Sequence, residues 1–359
     1  MSVHKKYFVK TLLRWNEKDN KRIMPWKAEK DPYKIWLSEI ILQQTRVEQG
    51  WDYYKRFLIA YPVIEQLARA PEKKIFKLWE GLGYYTRCKN LIATAKTIMK
   101  EHGGKFPKEY EAILTLKGIG PYTAAAIASF AFNLPYAVVD GNVFRVLARF
   151  FGISKPIDST EGKKLFTSLA HELLDKKQPG TYNQAIMDFG AIVCKPKNPL
   201  CDTCPLKSKC IAYSEGLVAK LPVKEKNAAR RSRWFYYLMI EHDGKIYVRK
   251  RGPKDIWENL YEFVLVETPA MTTVAKIKGM PLFRDIFGKS GIEIVNVSGS
   301  YLQHLTHQTI QGSFIHIKTK KALQIPAYEA VSPKKLAKLP FPKFITRYLA
   351  ENEAKPLER

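Results

Sequence analysis

LKGIGPYTAAAI, residues 116–127, sets Gly118 and Gly120 two positions apart between the end of one helical pattern and the start of the next. Glycines at that spacing let the backbone turn tightly, leave amide N–H groups uncovered, and aim a helix N-terminus at whatever lies above it. The turn reads either as an ordinary helix–helix connection or as a place where backbone amides meet a phosphate. Working outward from it, apolar residues recur at spacings of three and four, as in Leu37, Ile40 and Ile41, and again in Val143, Phe144, Val146, Leu147 and Phe150. Residues 1–215 are therefore predicted to be an all-α region.

Between Tyr213 and Arg233 the sequence turns polar and basic, and 216–233 is expected to be an exposed linker. The period then changes. Trp234 to Glu241 and Lys245 to Lys250 are β-rich runs joined at His242-Asp243-Gly244, a turn suited to a hairpin. Alternating stretches at 295–301 and 312–318, with helical patches at 329–339 and 342–351, predict a smaller α+β domain over 234–359.

The 359 residues suffice for about two domains. Sixty Lys plus Arg against 34 Asp plus Glu give a net charge of +26, spread along the chain. That excess points to a polyanionic partner, nucleic acid ahead of a membrane surface. The longest apolar run, 123–139, is broken by Ser129, Asn133 and Pro135 and is too short to span a bilayer. The opening residues carry no apolar segment of the signal-peptide kind, so a soluble intracellular protein without a membrane partner is expected.

CKPKNPLCDTCPLKSKC, residues 194–210, places four of the five cysteines in a loop with too few apolar residues to hold itself together. Metal ligation through Cys194, Cys201, Cys204 and Cys210 supplies the clamp. Only Cys201-x2-Cys204 fits a zinc knuckle, whereas an iron–sulfur cluster tolerates uneven spacing. Spacing favours iron–sulfur, with zinc and plain buried thiols as the alternatives. Cys88 stands apart and reads as a packing residue.

Two carboxylates stand out. Glu39 lies among Leu37, Ile40 and Ile41, where a carboxylate is expensive unless it is used or paired; the other reading turns it to a solvated face. Asp140 opens an amphipathic helix, where an Asp commonly serves as an N-cap.

Taken in order, WLSEIILQQT, WEGLGYYTRCKNL, LKGIGPYTAAAI, VVDGNV, NQAIMDFGAIVC and the four-cysteine loop resemble the helix-hairpin-helix DNA glycosylases, and within them the adenine DNA glycosylases of the MutY type. The resemblance is dense over 24–215. It continues more thinly through KRGP at 250–253, IWENLYEF at 256–263 and HLTH at 304–307, which look like that family's nudix-like C-terminal domain. The resemblance implies a 4Fe-4S cluster on the 194–210 loop and double-stranded DNA with A:8-oxoguanine or A:G mispairs as substrate. It implies Glu39 as general acid to adenine N7, Asp140 as the carboxylate that stabilises the sugar cation, Asn142 orienting it, and Tyr122 assisting at the same face. Gln44 and Tyr84 would wedge into the base stack, Gly118 and Gly120 would grip phosphate, and Thr306 and His307 would read the lesion. Related endonuclease III enzymes carry a Lys where Tyr122 stands, so base removal without efficient strand cleavage is expected, with weak trapping through the nearby Lys117.

The sequence departs from the family pattern at two places. Leu305-Thr306-His307 stands where Phe-Ser-His is frequent, and Lys27 follows Trp26 where Arg is frequent, which makes a phosphate or base contact there less bidentate. The nudix hydrolase box is absent from 234–359, so no Mg²⁺-dependent pyrophosphate chemistry is expected there. Two alternatives accompany this reading: an endonuclease III-like glycosylase-lyase for oxidised pyrimidines, and a non-catalytic iron–sulfur DNA-binding protein. A monomer is expected, in a bacterial cytoplasm and associated with the nucleoid.

Overall fold

The computed structural model describes residues 2–225, 231–253, 255–288, 291–305 and 307–353. The chain divides into two compact units, Met1–Arg69 with Asn90–Asn227, and Ala70–Lys89 with Ala228–Arg359. The second unit thus takes in a stretch, 70–89, that lies within the part of the sequence read as all-α.

Helices up to residue 192 are α1 (Val3–Lys18), α2 (Pro32–Leu42), α3 (Val47–Ala60), α4 (Ile64–Arg69), α5 (Glu72–Trp79), α6 (Tyr85–Glu101), α7 (Tyr110–Thr115), α8 (Pro121–Phe132), α9 (Gly141–Phe151), α10 (Thr160–Leu173) and α11 (Pro179–Ile192). In the first unit, Val143, Val146, Leu147 and Phe150 of α9 pack with Phe8, Leu12 and Trp15 of α1, Phe166 of α10, and Tyr182 and Phe189 of α11. Burying side chains of this size is worth roughly 1.5–3 kcal/mol each.

The other helix pair of consequence is α2 against α8. Asp31 caps α2 by accepting the Tyr33 N–H at 2.9 Å, and Pro32 occupies its first turn, where a missing N–H costs nothing. Tyr33 and Ile35 through Ile41 are all buried, and so are Thr123 through Ser129 of α8. Helices buried on every side lie inside the protein, so Glu39 enters the interior with its neighbours. Its alternative reading, a solvated face, is ruled out. Among the described residues no helix is long and apolar enough to cross a membrane.

The second unit is built on a mixed sheet of strands β1 (Arg231–His242), β2 (Lys245–Lys250), β3 (Tyr261–Glu262), β4 (Val264–Thr268), β5 (Ile292–Val297), β6 (Tyr301–His304), β7 (Gln308–Thr319) and β8 (Glu329–Val331). The main path runs β3-β2-β1-β7-β5, with β4 on β1, β6 on β7 and β8 on β2. β1 and β7 are parallel, from Arg231 opposite Gln308 to Glu241 opposite Lys318. The expected hairpin between β1 and β2 closes at His242 opposite Lys245, and both turn residues, Asp243 and Gly244, have positive φ of 48° and 67°. That is the geometry a two-residue hairpin turn requires.

Three sequence expectations change here. The strand expected over 295–301 is broken: β5 ends at Val297 and β6 begins at Tyr301. The patch at 329–339 begins as β8, because Val331 is buried opposite Ile246 of β2, and only Pro333–Leu336 is helical after the Ser332 cap. Two short helices, Val274–Lys278 and Pro281–Phe287, were not expected, since segments of that length carry too little periodicity to register.

Candidate active site

Asp140 is the N-cap of α9. Its Oδ1 accepts the N–H groups of Asn142 and Val143, each at 2.8 Å, and its Oδ2 accepts from Asn142 Nδ2 at 2.8 Å. Asn142 is held in turn, its Oδ1 accepting from Arg145 Nη2 at 2.7 Å. The same guanidinium donates to the carbonyls of Gly190 and Cys194, both at 2.7 Å. Gly190 is needed for this approach, because a Cβ there would stand 2.6 Å from that of Asn142. Burial pushes the Asp140 carboxyl up, while the bonds from Val143 and Asn142 and the charge of Arg145 pull it back; the balance lies above the usual Asp value.

Glu39 is 7% exposed. Burial raises its carboxyl to about 7; a hydrogen bond from Tyr122 works against that rise and the charge of Asp140 adds to it. The Tyr122 phenol is itself pushed well above the ordinary tyrosine range by burial and by the two carboxylates. Two acids share one interior, one resting on donors and the other on an apolar helix. Environments of that kind separate protonation states.

A cavity of about 700 Å³ within the first unit is lined by Glu39, Tyr122, Asp140 and Asn142 together with Trp26, Lys27, Gln43 and Gln44. Gln44 follows the end of α2 at φ 56°, and Gln43 reaches Thr123 Oγ1 at 3.4 Å. The hairpin stands nearby in sequence, between α7 and α8. Gly118 has φ 78°, and a Cβ there would lie 2.7 Å from that of Asn90, so no other residue fits. Ile119 is buried, whereas Lys117, Gly118 and Gly120 are exposed, and Gly120 caps α8 with open space around it.

Lys27 lies 3.2 Å from Asp188 and donates to the Arg22 carbonyl at 2.9 Å. Tyr84 belongs to the second unit and is 44% exposed. His307 is also there, exposed in the turn between β6 and β7; Thr306 lies outside the described residues. The structure brings Glu39, Tyr122, Asp140, Asn142, Gln44 and Lys27 together around one cavity.

Sequence reasoning missed the network behind Lys27. Asp188 is fully buried and accepts from Arg22 at 2.8 Å, Asn20 at 2.9 Å and Gln184 at 2.9 Å. Its signal was the same as that of Glu39, a lone carboxylate in an apolar run, NQAIMDFG. Arg145, which supports Asn142, was missed as well.

Cys194, Cys204 and Cys210 pack against the α9 cluster, and Arg149 Nη1 stands 3.5 Å from Cys194 Sγ. Burial raises the Cys201, Cys204 and Cys210 thiols, and each also feels the charge of Cys194. Backbone N–H groups of Leu206, and of Ala212 and Tyr213, are aimed at the Cys204 and Cys210 sulfurs, donors that suit thiolates. Among the described residues, no group of three or more His, Cys, Asp or Glu stands at metal-binding geometry.

Comparison with known proteins adds the ancestry. The HhH-GPD superfamily of base excision DNA repair proteins matches residues 37–171, and the NUDIX domain family matches 235–351. An adenine DNA glycosylase of Buchnera aphidicola subsp. Schizaphis graminum is 36% identical over 265 residues, 74% of this chain and 76% of the relative. The adenine DNA glycosylase of Homo sapiens is 40% identical over 211 residues, 56% of this chain and 38% of the relative. Among solved structures, a thermostable thymine-DNA glycosylase matches with a TM-score of 0.55 at 33% identity, covering 59% of this chain and 97% of its own. A trapped endonuclease III–DNA intermediate matches at 0.52 and 18% identity over 60% of this chain and 100% of its own, and so shares the fold. With the superfamily match spanning Glu39, Tyr122 and Asp140, and with that identity carried across most of both chains, the chain belongs to the adenine DNA glycosylase family.

Proposed function

We propose that the protein hydrolyses the N-glycosidic bond of adenine mispaired with 8-oxoguanine or guanine in duplex DNA, acting as a monomer and leaving the strand intact. The observation that carries this reading is the pair Glu39 and Asp140 in one cavity, the first with its carboxyl raised to about 7, the second held by three hydrogen bonds. Cleaving this bond needs a proton on a poor leaving group and an anion beside a cationic sugar. Glu39 gives its proton to adenine N7, and the C1′–N9 electron pair leaves with the base. Asp140, oriented by Asn142, stabilises the sugar until water supplies a hydroxyl to C1′, its other proton restoring the Glu39 acid.

The target base has to leave the stack, at a cost of about a few kcal/mol. Gln44 and Tyr84 fill the gap, the hairpin amides at Gly118 and Gly120 hold phosphate, and Thr306 and His307 read the opposite lesion. No amine takes the place of Tyr122 to form a Schiff base, which supports base removal without strand cleavage. Cys194, Cys201, Cys204 and Cys210 would hold a 4Fe-4S cluster, whose contribution when bound is to clamp the 194–210 loop. Cys204→Ser is expected to reduce bound iron to background and to lower the melting temperature. Metal analysis finding zinc, or iron unchanged in the variant, would contradict that assignment.

The function is tested by single-turnover assays on labelled duplexes with A opposite 8-oxoguanine, G or T, and with an oxidised cytosine opposite G, each read with and without hot alkali. Breaks that need alkali, at A opposite 8-oxoguanine and G, are expected. Alkali-independent breaks at the oxidised pyrimidine would point to the endonuclease III-like alternative, and no release from any duplex to a non-catalytic DNA-binding protein.

A further inference from the structure

Tyr84 adopts φ 49°, a left-handed conformation that costs a residue with a Cβ roughly 1–2 kcal/mol. It exposes its ring from a short turn between α5 and α6. A strained turn presenting an aromatic side chain persists only where its surroundings impose it. Part of that support is local: Trp79 Nε1 and Arg87 Nη2 both donate to the Gly83 carbonyl, at 3.0 and 3.3 Å, and the Arg87 guanidinium lies 5.3 Å from the Trp79 and Tyr84 rings.

The rest comes from the far end of the chain, within the same unit. Glu80 Oε1 accepts the Phe341 N–H at 2.7 Å, and Glu80 Oε2 accepts from Lys77 Nζ at 2.6 Å. That ammonium also donates to the Leu339 carbonyl at 3.1 Å. On the other side of the turn, Tyr85 donates its hydroxyl to the Phe341 carbonyl at 3.3 Å and accepts the Gly81 N–H at 3.3 Å. Leu339 and Phe341 are buried, so this anchor is fixed in its own core. Both ends of the Tyr84 turn are pinned to one short segment.

We infer that Glu80 is a positioning residue for Tyr84, and that residues 339–341 set the conformation of the turn before DNA binds. The inference rests on the reading of Tyr84 as a wedge. It adds a second task to the C-terminal part of the chain, which then shapes the probe of the duplex as well as reading the lesion.

The test uses the full-length protein and a mispaired duplex with 2-aminopurine beside the base opposite adenine, whose fluorescence rises when the stack is opened. Glu80→Ala is expected to lower the amplitude and weaken mispair binding roughly tenfold, as loss of a charged hydrogen bond would. Glu80→Gln, which keeps an acceptor for Phe341, should restore most of it, and Glu80→Ala should add nothing in a Tyr84→Ala background. A wild-type signal in Glu80→Ala beside an impaired Tyr84→Ala, or full additivity of the two, would overturn the inference alone. A wild-type signal in Tyr84→Ala would overturn the wedge reading and the inference with it. Should Glu80→Ala not fold, Lys77→Met is expected to show the same pattern at smaller amplitude, and a wild-type signal there would overturn the inference.

Discussion

Glu39→Gln is expected to slow single-turnover adenine release by about 10²- to 10⁴-fold, the range a positioned general acid supplies, with mispair binding retained. The amide has the same shape as the acid but no proton to give. The wild-type profile has a defined sign: with the Glu39 carboxyl at about 7, the proton-bearing form falls away as pH rises through that value. Release should then decline about tenfold per pH unit on the alkaline side, as titration of a single group requires, and Glu39→Gln should lack that limb. Stability follows the same group. Its folded pKa lies above the ordinary Glu value, so its contribution is fully present in acid and is lost as pH rises through about 7. Glu39→Gln should therefore melt higher than wild type at alkaline pH and no higher in acid. A variant that releases adenine at the wild-type rate would remove Glu39 from the chemistry.

Asp140→Asn separates the two things an Asp can do at a helix start. Asn keeps the acceptor for the Asn142 and Val143 N–H groups and gives up only the bond from Asn142 Nδ2, so α9 should lose no more than about 1–2 kcal/mol. Adenine release should nevertheless fall by at least about 10²-fold, the scale on which loss of one electrostatic stabiliser is felt in a transition state. Melting curves and single-turnover rates on the same samples decide it. Retained activity would leave Asp140 a cap and nothing more.

Much of this was readable in the amino-acid sequence because the signals are local. The two glycines of the hairpin, the four-cysteine loop and the period change at Trp234 each lie within one short stretch, and the β1–β2 hairpin follows from Asp243-Gly244 between two β-rich runs. The burial of Glu39 was not readable, since periodicity offers a charged residue two faces; it took the packing of α8 on α2 to close both. Asp188 was passed over because its partners Asn20, Arg22 and Lys27 lie more than 160 positions away. The same distance in sequence hid the attachment of 70–89 to residues 339–341, which depends on backbone groups that no pattern of side chains reveals.

The measurement that bears most directly on the paired carboxylates is an infrared titration of Glu39, its carboxylic C=O band assigned by its loss in Glu39→Gln. The band should persist from acid up to about pH 7 and then fade, while that of Asp140, assigned in Asp140→Asn, fades at lower pH. A Glu39 already ionised well below pH 7, or an Asp140 that stays protonated as long as Glu39 does, would contradict the division of roles between them.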